Sequence, residues 1–481
     1  MEIELQLIGA ALRSIADEMG AVLVRSAFSA NIKERRDCST ALFDPAGRMI
    51  AQAEHIPVHL GAMPDAVAAV RSLDPAPGDV FILNDPFAGG THLPDITLVT
   101  RTRVGFAVTR AHHADVGARE PGSLPADSRV LDDGLLDELV ARMRNPDERR
   151  GDLRAQLAAH GLAARRLDEL CERRGRPSVE AAMDELHAYS ERRVRAAIAH
   201  LPDGRFEATD TLEPADGGEL VIHASVTVSG DELEVDFDRT APQHGGNLNC
   251  PIAVTRSACY FVVRCLTDPD VPASGGAFAP VRVSAPEGCL VNARPPAAVA
   301  AGNVETSSRI VDVVFAAFGQ ALEVPAQGQG TMNNLTLGND GFTYYETVGG
   351  GQGACPDADG PSAVHVAMSN TLSTPTEALE LAYPVRVERH QLRLGSGGRG
   401  RHRGGDGVVR ELRVLEACRL SLVGERRRRA PQGARGGGAG EPARNLVDEQ
   451  EVPGKITRAL EAGDVVRLET PGGGGFGTLA R

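Results

Sequence analysis

The chain has no tryptophan, only two lysines, and no Cys-x-x-Cys pair among its eight cysteines. Each shortage excludes something. Lysine stands only at Lys33 and Lys455, so no Gly-Lys-Ser/Thr tripeptide exists. A Walker-type phosphate loop needs that lysine, so any ATP chemistry on such a loop must belong to another chain. Cys38, Cys171, Cys250, Cys259, Cys265, Cys289, Cys355 and Cys418 are scattered. That pattern predicts reduced, mostly buried thiols rather than a disulfide frame or a zinc knuckle. No run of about eighteen apolar residues occurs, so no membrane-spanning helix is expected. The opening MEIELQLIGAALRSIADEMG is acidic where a secretory leader needs positive charge, and a cytoplasmic protein is expected. The net charge of −14 and the scarcity of aromatics argue against nucleic acid and against an anionic membrane surface.

What is present is a globular composition on a chain long enough for two or three domains: 481 residues, 42% hydrophobic and 24% charged. Residues 2–28 repeat Ile3, Leu7, Ala11, Ile15, Met19, Val22 and Leu23 at helical spacing. A strand pair turned at DPAG follows, then a short helix over MPDAVAAVRSL and a buried strand at GDVFILNDP. DITLVTRTRVGFAVTRAHHADVG reads as two strands with a hairpin near Gly105. Residues 132–200 are rich in Arg, Glu, Ala and Leu and read as two or three amphipathic helices, broken at ERRGRPS with a Ser start signal. Asp132 and Asp133 are candidate helix caps. Beyond LPDG the chain turns to strands, with GELVIHASVTVSGDELEVDFD alternating around a Ser-Gly-Asp turn. One helix is expected within VETSSRIVDVVFAAFGQAL. The expected class is α+β, β-rich with Gly-rich loops and a helical insertion around 132–200. The expected regions are 1–131, 132–205 and 206–481, the last expected to form a subunit interface.

Several motifs have plain readings. GSGGRG at 395–400 fits G-x-G-x-x-G, but no helix is expected after it, so a Gly-rich turn region is preferred to a dinucleotide site. GGGQGACPDADG resembles a phosphate nest, but a mobile loop is preferred. The glycine clusters as a whole predict tight turns and close backbone approaches, as at an interface or a channel. Arg426 to Arg429 form a cation cluster, read as a solvated or interfacial patch rather than a phosphate site.

The sharpest signal is His92 and Asp95, an H-x-x-D pair repeated at His112 and Asp115 near adjacent strand ends. Imidazole mixed with carboxylate suits Mn, Fe or Zn, whereas Mg and Ca prefer oxygen alone. With an open position, such a site supplies a Lewis acid. Asp85 and Asp95 also read as turn formers. His55 and His59 flank Pro57, which breaks a helix, and read either as contacts behind the site or with substrate, or as core or turn histidines.

These stretches, taken in order, resemble the hydantoinase B/oxoprolinase family. The likeness is carried by FSANIKERRDCSTALFDPAGRMIAQAEHIPVHLGAMP, NDPFAGGTHLPDITLV, AHHADVG, PAAVAAGNVETSSRI, PAQGQGTMNNLTLG, YYETVGGGQGA, SNTLSTPTEALE, GSGGRGRHRGGDG and TPGGGGFG, spread over residues 1 to 478. The resemblance implies a B-type subunit working with an A-type subunit that hydrolyses ATP and phosphorylates the carbonyl oxygen of a lactam, cyclic imide or ketone. It implies a divalent transition metal drawn from Asp95, His112 and Asp115, with His92 and His113 as further candidates. Glu346 and Glu305 are candidate general bases. The implied reaction is hydrolysis of a cyclic amide C–N bond. The alternatives are the large subunit of an acetone-type carboxylase, or a non-catalytic partner of an A-type ATPase. The chain departs from the family pattern at Ala118, where a second glycine is usual. It also departs after PGSLPADSR, where an acidic Gly- and Pro-containing element is expected and is shortened.

Overall fold

The computed structural model describes residues 3–54, 56–116, 140–141 and 143–479. His55, Ala118, Asp132, Asp133 and the shortened stretch after Arg129 lie outside the described residues. The architecture is α+β, with several antiparallel sheets. Among the described residues no helix is long and apolar enough to cross a membrane.

The first helix, α1 (Ile3–Ser26), forms where expected. Its buried stripe is Leu5, Ile8, Leu12, Ile15, Met19 and Leu23, while Leu7 is half exposed. Ile15, Met19 and Leu23 were expected in the core. In the first two turns the neighbouring stripe won, because both stripes carry apolar residues at helical spacing and packing chooses between them. A single turn, α2 (Ala30–Lys33), leads into β1 (Cys38–Phe43) and β2 (Met49–Glu54). The DPAG turn joins them: the Asp44 carboxylate accepts from the Arg48 amide at 2.8 Å, and Gly47 takes a φ of 80°. Then come α3 (Met63–Arg71), β3 (Val80–Leu83), β4 (Asp95–Thr102) and β5 (Gly105–His112). The five strands form one antiparallel sheet in the order β2-β1-β5-β4-β3.

Strand periodicity gives this sheet two different faces. Leu42, Ala107 and Ala111 pack on the back against α1, α4 (Pro146–Arg174) and α5 (Arg176–Ile198). Ala41, Phe43, Val99, Phe106 and Val108 pack on the front against Met63, Val67 and Val70 of α3. The break between α4 and α5 is the single residue Gly175, with a φ of 81°. Ser178 therefore lies inside the first turn of α5 and does not cap it, in contrast to the sequence expectation.

The chain then builds β6 (Gly204–Leu212), β7 (Leu220–Ser229), β8 (Glu232–Asp236), α6 (Ile252–Leu266), β9 (Val281–Ser284) and α7 (Ser307–Phe318). The sheet runs β6-β7-β8-β9, parallel only between β8 and β9, and shares a core with α6 and α7. One turn of π-helix, Gly302–Thr306, precedes α7.

Two more sheets follow: β11-β10-β14-β17 and β12-β13-β18-β15-β16. Their strands are β10 (Asn334–Gly338), β11 (Thr343–Glu346), β12 (Val385–Arg393), β13 (Gly407–Val414), β14 (Cys418–Val423), β15 (Arg444–Val447), β16 (Gln450–Val452), β17 (Lys455–Leu460) and β18 (Val465–Glu469). They enclose a common core of Leu335, Leu337, Tyr344, Leu412, Leu420 and Leu468. A short helix, α8 (Thr376–Ala382), lies between β11 and β12.

The glycine-rich stretches pack on one another. Residues 471–477 are buried at the centre of that bundle. The Gly473 amide donates to Gly405 O at 2.9 Å, and the Gly398 amide donates to Gly473 O at 2.8 Å. A Cβ added at Gly473 would lie 2.0 Å from Gln352 O. Backbone meets backbone here as in other side-chain-free assemblies, where only glycine fits. GSGGRG belongs to this bundle and runs into β13 rather than a helix, which removes the dinucleotide reading.

Candidate metal centre

The site grows from the register of β4 and β5. Asp95 opens β4 and pairs directly with His112, which closes β5. Their side chains share the front face. His92 lies in the turn just before, where the Asp95 amide donates to His92 O at 3.0 Å. That turn starts at Asp85, whose carboxylate accepts from the Phe87 amide at 2.8 Å, so Asp85 is a turn former.

Three ligand atoms converge. His92 Nε2 lies 2.9 Å from Asp95 Oδ1, His112 Nδ1 lies 3.1 Å from the same oxygen, and the two nitrogens are 3.1 Å apart. All three residues are buried. His92 Nδ1 faces the Ala300 carbonyl at 3.3 Å. A carbonyl only accepts, so Nδ1 carries a proton, and in the neutral ring Nε2 turns its lone pair toward the cluster. Lone pairs on nitrogen and oxygen then crowd one point, an arrangement that a cation relieves. The spacing fits: donors about 2.1 Å from one ion and at right angles are about 3.0 Å apart. Two imidazoles and one carboxylate on one side of an ion form the facial set that suits a transition metal.

The surroundings hold this set in place. Thr91 Oγ1 donates to Asp95 Oδ2. His59 Nε2 lies 3.5 Å from that same oxygen, and its Nδ1 is 2.9 Å from Ser39 Oγ. Burial alone would raise the Asp95 carboxyl, but the imidazoles of His92, His112 and His59 hold it well below the carboxylate range. Burial pushes His59 down, against the pull of Asp95. Asn303, from the π-turn, brings Nδ2 to 3.1 Å from His92 Nε2. The Tyr345 ring stacks on His112 with centroids 4.9 Å apart.

The five residues expected as ligands therefore separate. His92, Asp95 and His112 come together. His113, one residue past His112, points to the back face, where its Nε2 is 3.3 Å from Gln156 Oε1. The two-residue period of a strand forces that divergence. Burial, outweighing nearby Asp152, pushes His113 down to about 4. Asp115 lies beyond the end of β5 and accepts from the Arg144 backbone amide at 3.1 Å and from its guanidinium at 2.9 Å. Repeating H-x-x-D does not repeat the geometry, because Asp95 begins a strand and Asp115 follows one.

The two glutamates separate in the same way. β11 sends Tyr345 into the core beside the site and Tyr344 into the sandwich core. Glu346 shares the Tyr344 parity and meets Arg410 at 3.1 Å. Burial would raise its carboxyl, but Arg410 brings it below its ordinary value, which suits an ion-pair partner and not a base. Glu305 is buried in the π-turn, and burial with nearby Glu425 pushes it up to about 7. Its Oε1 accepts from Asn334 Nδ2 at 2.8 Å, and Asn334 Oδ1 accepts from Tyr345 OH at 2.8 Å. A line of two hydrogen bonds thus joins Glu305 to the ring that stacks on His112.

His59 was visible in sequence only as an ambiguous histidine, and its place beside Asp95 is set by the turn at Pro57–His59. Asn303, Thr91 and Tyr345 were not singled out. Asn303 and Tyr345 sit within motifs that marked their segments, but nothing local showed that they would meet His92 and His112. The arginine cluster is structural: Arg426 is buried against Asp312 at 2.5 Å, and the Arg428 and Arg429 amides bind the Glu213 carboxylate at 3.0 and 2.9 Å.

Comparison with known proteins gives the family and the fold. The hydantoinase B/oxoprolinase profile matches residues 1–136 and 127–479. The chain is 38% identical to 5-oxoprolinase 1 of Arabidopsis thaliana, over 99% of its own length and 42% of that protein's. It superposes on the crystal structure of an ATP-dependent caprolactamase from Pseudomonas jessenii with a TM-score of 0.92 and 28% identity, covering 99% of this chain and 91% of that one. A nucleotide-free acetone carboxylase gives a TM-score of 0.86 at 18% identity, covering 99% and 75%, a likeness of fold alone. The chain belongs to the hydantoinase B/oxoprolinase family.

Proposed function

We propose that the chain is the B-type subunit of an ATP-dependent amidohydrolase that opens a lactam or cyclic imide, with a divalent transition metal held by His92, Asp95 and His112. The observation that carries this reading is the approach of His92 Nε2, His112 Nδ1 and Asp95 Oδ1 to within 2.9–3.1 Å of one another. The similarity to a caprolactamase and to a 5-oxoprolinase supports the substrate class. The chain spans 42% of the 5-oxoprolinase and has no Walker lysine, which supports nucleotide handling by a separate A-type subunit.

A lactam carbonyl is a poor electrophile because amide resonance stabilises it. Phosphorylation of its oxygen on the partner removes that resonance and installs a leaving group. When bound, a divalent ion at the triad would act as a Lewis acid toward the oxygen of that carbonyl. The chain's own residues orient the centre. Ser39 fixes His59, and His59 with Thr91 occupies Asp95 Oδ2, leaving Oδ1 for the ion. Of the two candidate bases, Glu305 is retained, since a carboxyl near 7 exchanges a proton readily at neutral pH.

Co-expression with an A-type subunit tests the reading, followed by ATP turnover with hydantoin, 5-oxoproline, caprolactam, and a simple ketone with bicarbonate. Turnover should depend on a lactam or imide and disappear in His112→Ala. Turnover only with ketone and bicarbonate would move the protein to the carboxylases, and none with any substrate would leave a structural partner.

A further inference from the structure

Away from the metal centre, α6, the second half of α7 and the glycine bundle border a cavity of about 540 Å³. That volume lies within the range of small-molecule sites, roughly 300–1,000 Å³. None of His59, His92, Asp95 and His112 lines it. The link to them is the π-turn and α7. Asn303 stands beside His92, and Asp312, in the cavity wall, comes roughly 13 Å further on by the rise of a helix. Phe261, Leu266 and Phe315 are half-buried and Val366 is buried, and together they give the cavity an apolar wall.

Two charged groups interrupt that wall. Asp312 is only 8% exposed and lines the cavity. Its Oδ2 meets Arg426 Nη2 at 2.5 Å, while its Oδ1 has no protein partner among the described residues. Arg426 also pairs with Asp210, so its charge is divided between two carboxylates. Burial raises the Asp312 carboxyl against the pull of Arg426 and Arg309. Gly330 lies over the carboxylate with a φ of 59°, and a Cβ there would come within 2.7 Å of Oδ2. Glycine at that position keeps the acid open to the cavity. The second group is the exposed Arg435. Its Nη2 donates to Gly319 O at 3.1 Å and to Leu322 O at 2.9 Å, just past the end of α7, which leaves Nε and Nη1 for a ligand.

An acid, a guanidinium and a hydrocarbon wall in one cavity are complementary to a zwitterion with an apolar stem. Hydrolysis of a lactam yields that class of molecule. Water adds to the carbonyl carbon and the C–N bond breaks. The water oxygen stays in a carboxylate, and its two protons end on the nitrogen as an ammonium. We propose that this cavity binds the ring-opened product, an ω-amino acid whose ammonium meets Asp312, whose carboxylate meets Arg435 and whose methylenes lie along Phe261 and Phe315. The identity of the ligand as a product rests on the lactam-opening reading; the complementarity to a zwitterion does not. A cyclic imide or hydantoin opened in the same way keeps its nitrogen acylated and brings no ammonium. The site therefore favours lactams with a hydrocarbon ring.

The test titrates the full chain calorimetrically at neutral pH with 6-aminohexanoate, with hexanoate and with hexylamine. The amino acid should bind saturably, hexanoate about tenfold or more weakly for want of the ammonium, and hexylamine about threefold more weakly for want of the carboxylate. Asp312→Asn keeps the shape of the side chain, and Ala316→Phe fills the cavity from an exposed position of α7. Each should weaken 6-aminohexanoate about tenfold or more, and Arg435→Gln about threefold. His112→Ala should leave the affinity unchanged. An absence of binding to wild-type protein overturns the proposal. So does either single-ended analogue binding as tightly as the amino acid, wild-type affinity in Ala316→Phe, or loss of affinity in His112→Ala. Should Asp312→Asn not fold, the hexanoate comparison and Ala316→Phe decide. Lactam-dependent ATP turnover without 6-aminohexanoate binding removes the site and keeps the lactam reading. Binding without turnover keeps the zwitterion site and removes the reading that made its ligand a product.

Discussion

The two faces of the first sheet carry the same residue types and do opposite things with them. On the front, His59, His92 and His112 turn ring nitrogens toward one carboxylate, Asp95. On the back, His160 has Nδ1 at 2.5 Å from Thr100 Oγ1 and Nε2 at 2.9 Å from Thr109 Oγ1, and His113 meets Gln156. Burial, with only neutral partners, pushes His160 down to about 3, so it is a neutral core histidine. The front faces a potential cation and the back faces helices. The lesson is that a buried histidine acquires its role from what its second nitrogen touches.

The largest expected effect breaks the comparison directly. Asp95→Ala or His112→Ala should take the metal-to-protein ratio, read by elemental analysis, from near one to near zero. Asp115→Ala should keep the metal and cost about 2 kcal/mol of stability, because it removes a buried acceptor of the Arg144 amide and guanidinium. Metal loss in Asp115→Ala with retention in His112→Ala would invert the assignment of the two faces.

A smaller effect sharpens it. His59→Ala leaves the three ligand atoms in place but frees Asp95 Oδ2 from its imidazole. Metal affinity should fall about 10- to 100-fold, the usual consequence of losing a residue that orients a ligand. Competition against a chromogenic chelator measures it, and an unchanged affinity would make His59 an ordinary core residue.

The smallest effect separates the two buried glutamates. The Glu305 carboxyl titrates at about 7 in the folded protein against its ordinary value of 4.5. The folded state therefore holds the extra proton between those values, and this group lowers stability as pH rises through them. Glu305→Gln removes that slope. Its stability relative to wild type should increase between pH 4.5 and 8, by at most about 3 kcal/mol. Glu346→Gln should show no such gain, since Arg410 brings the Glu346 carboxyl down instead. Denaturant melts at the two pH values check both, and parallel curves for Glu305→Gln and wild type would remove Glu305 as a proton-exchanging group.

Much of the local structure was legible because it rests on short-range periodicity. α1, the DPAG turn, the β4–β5 hairpin and the Ser-Gly-Asp turn between β7 and β8 all follow from residues a few positions apart. The glycine runs were legible as places of close backbone approach, but not as a bundle, because the segments that pack together lie far apart in the chain. The break before α5 falls within ERRGRPS as expected, but Gly175 makes it and Ser178 gives no start signal, since a left-handed glycine ends a helix as firmly as a cap begins one.

The sequence alone determined that His92, Asp95 and His112 would lie at the ends of neighbouring strands, and that no Walker-type phosphate loop lies within these 481 residues. Both follow from composition and from the spacing of a hairpin. Only the tertiary structure decided that His113 and Asp115 turn away and that Glu346 serves Arg410. Those outcomes depend on which face a side chain takes and on partners dozens to hundreds of residues distant. No local pattern encodes that, because burial and pairing are settled only when the layers close.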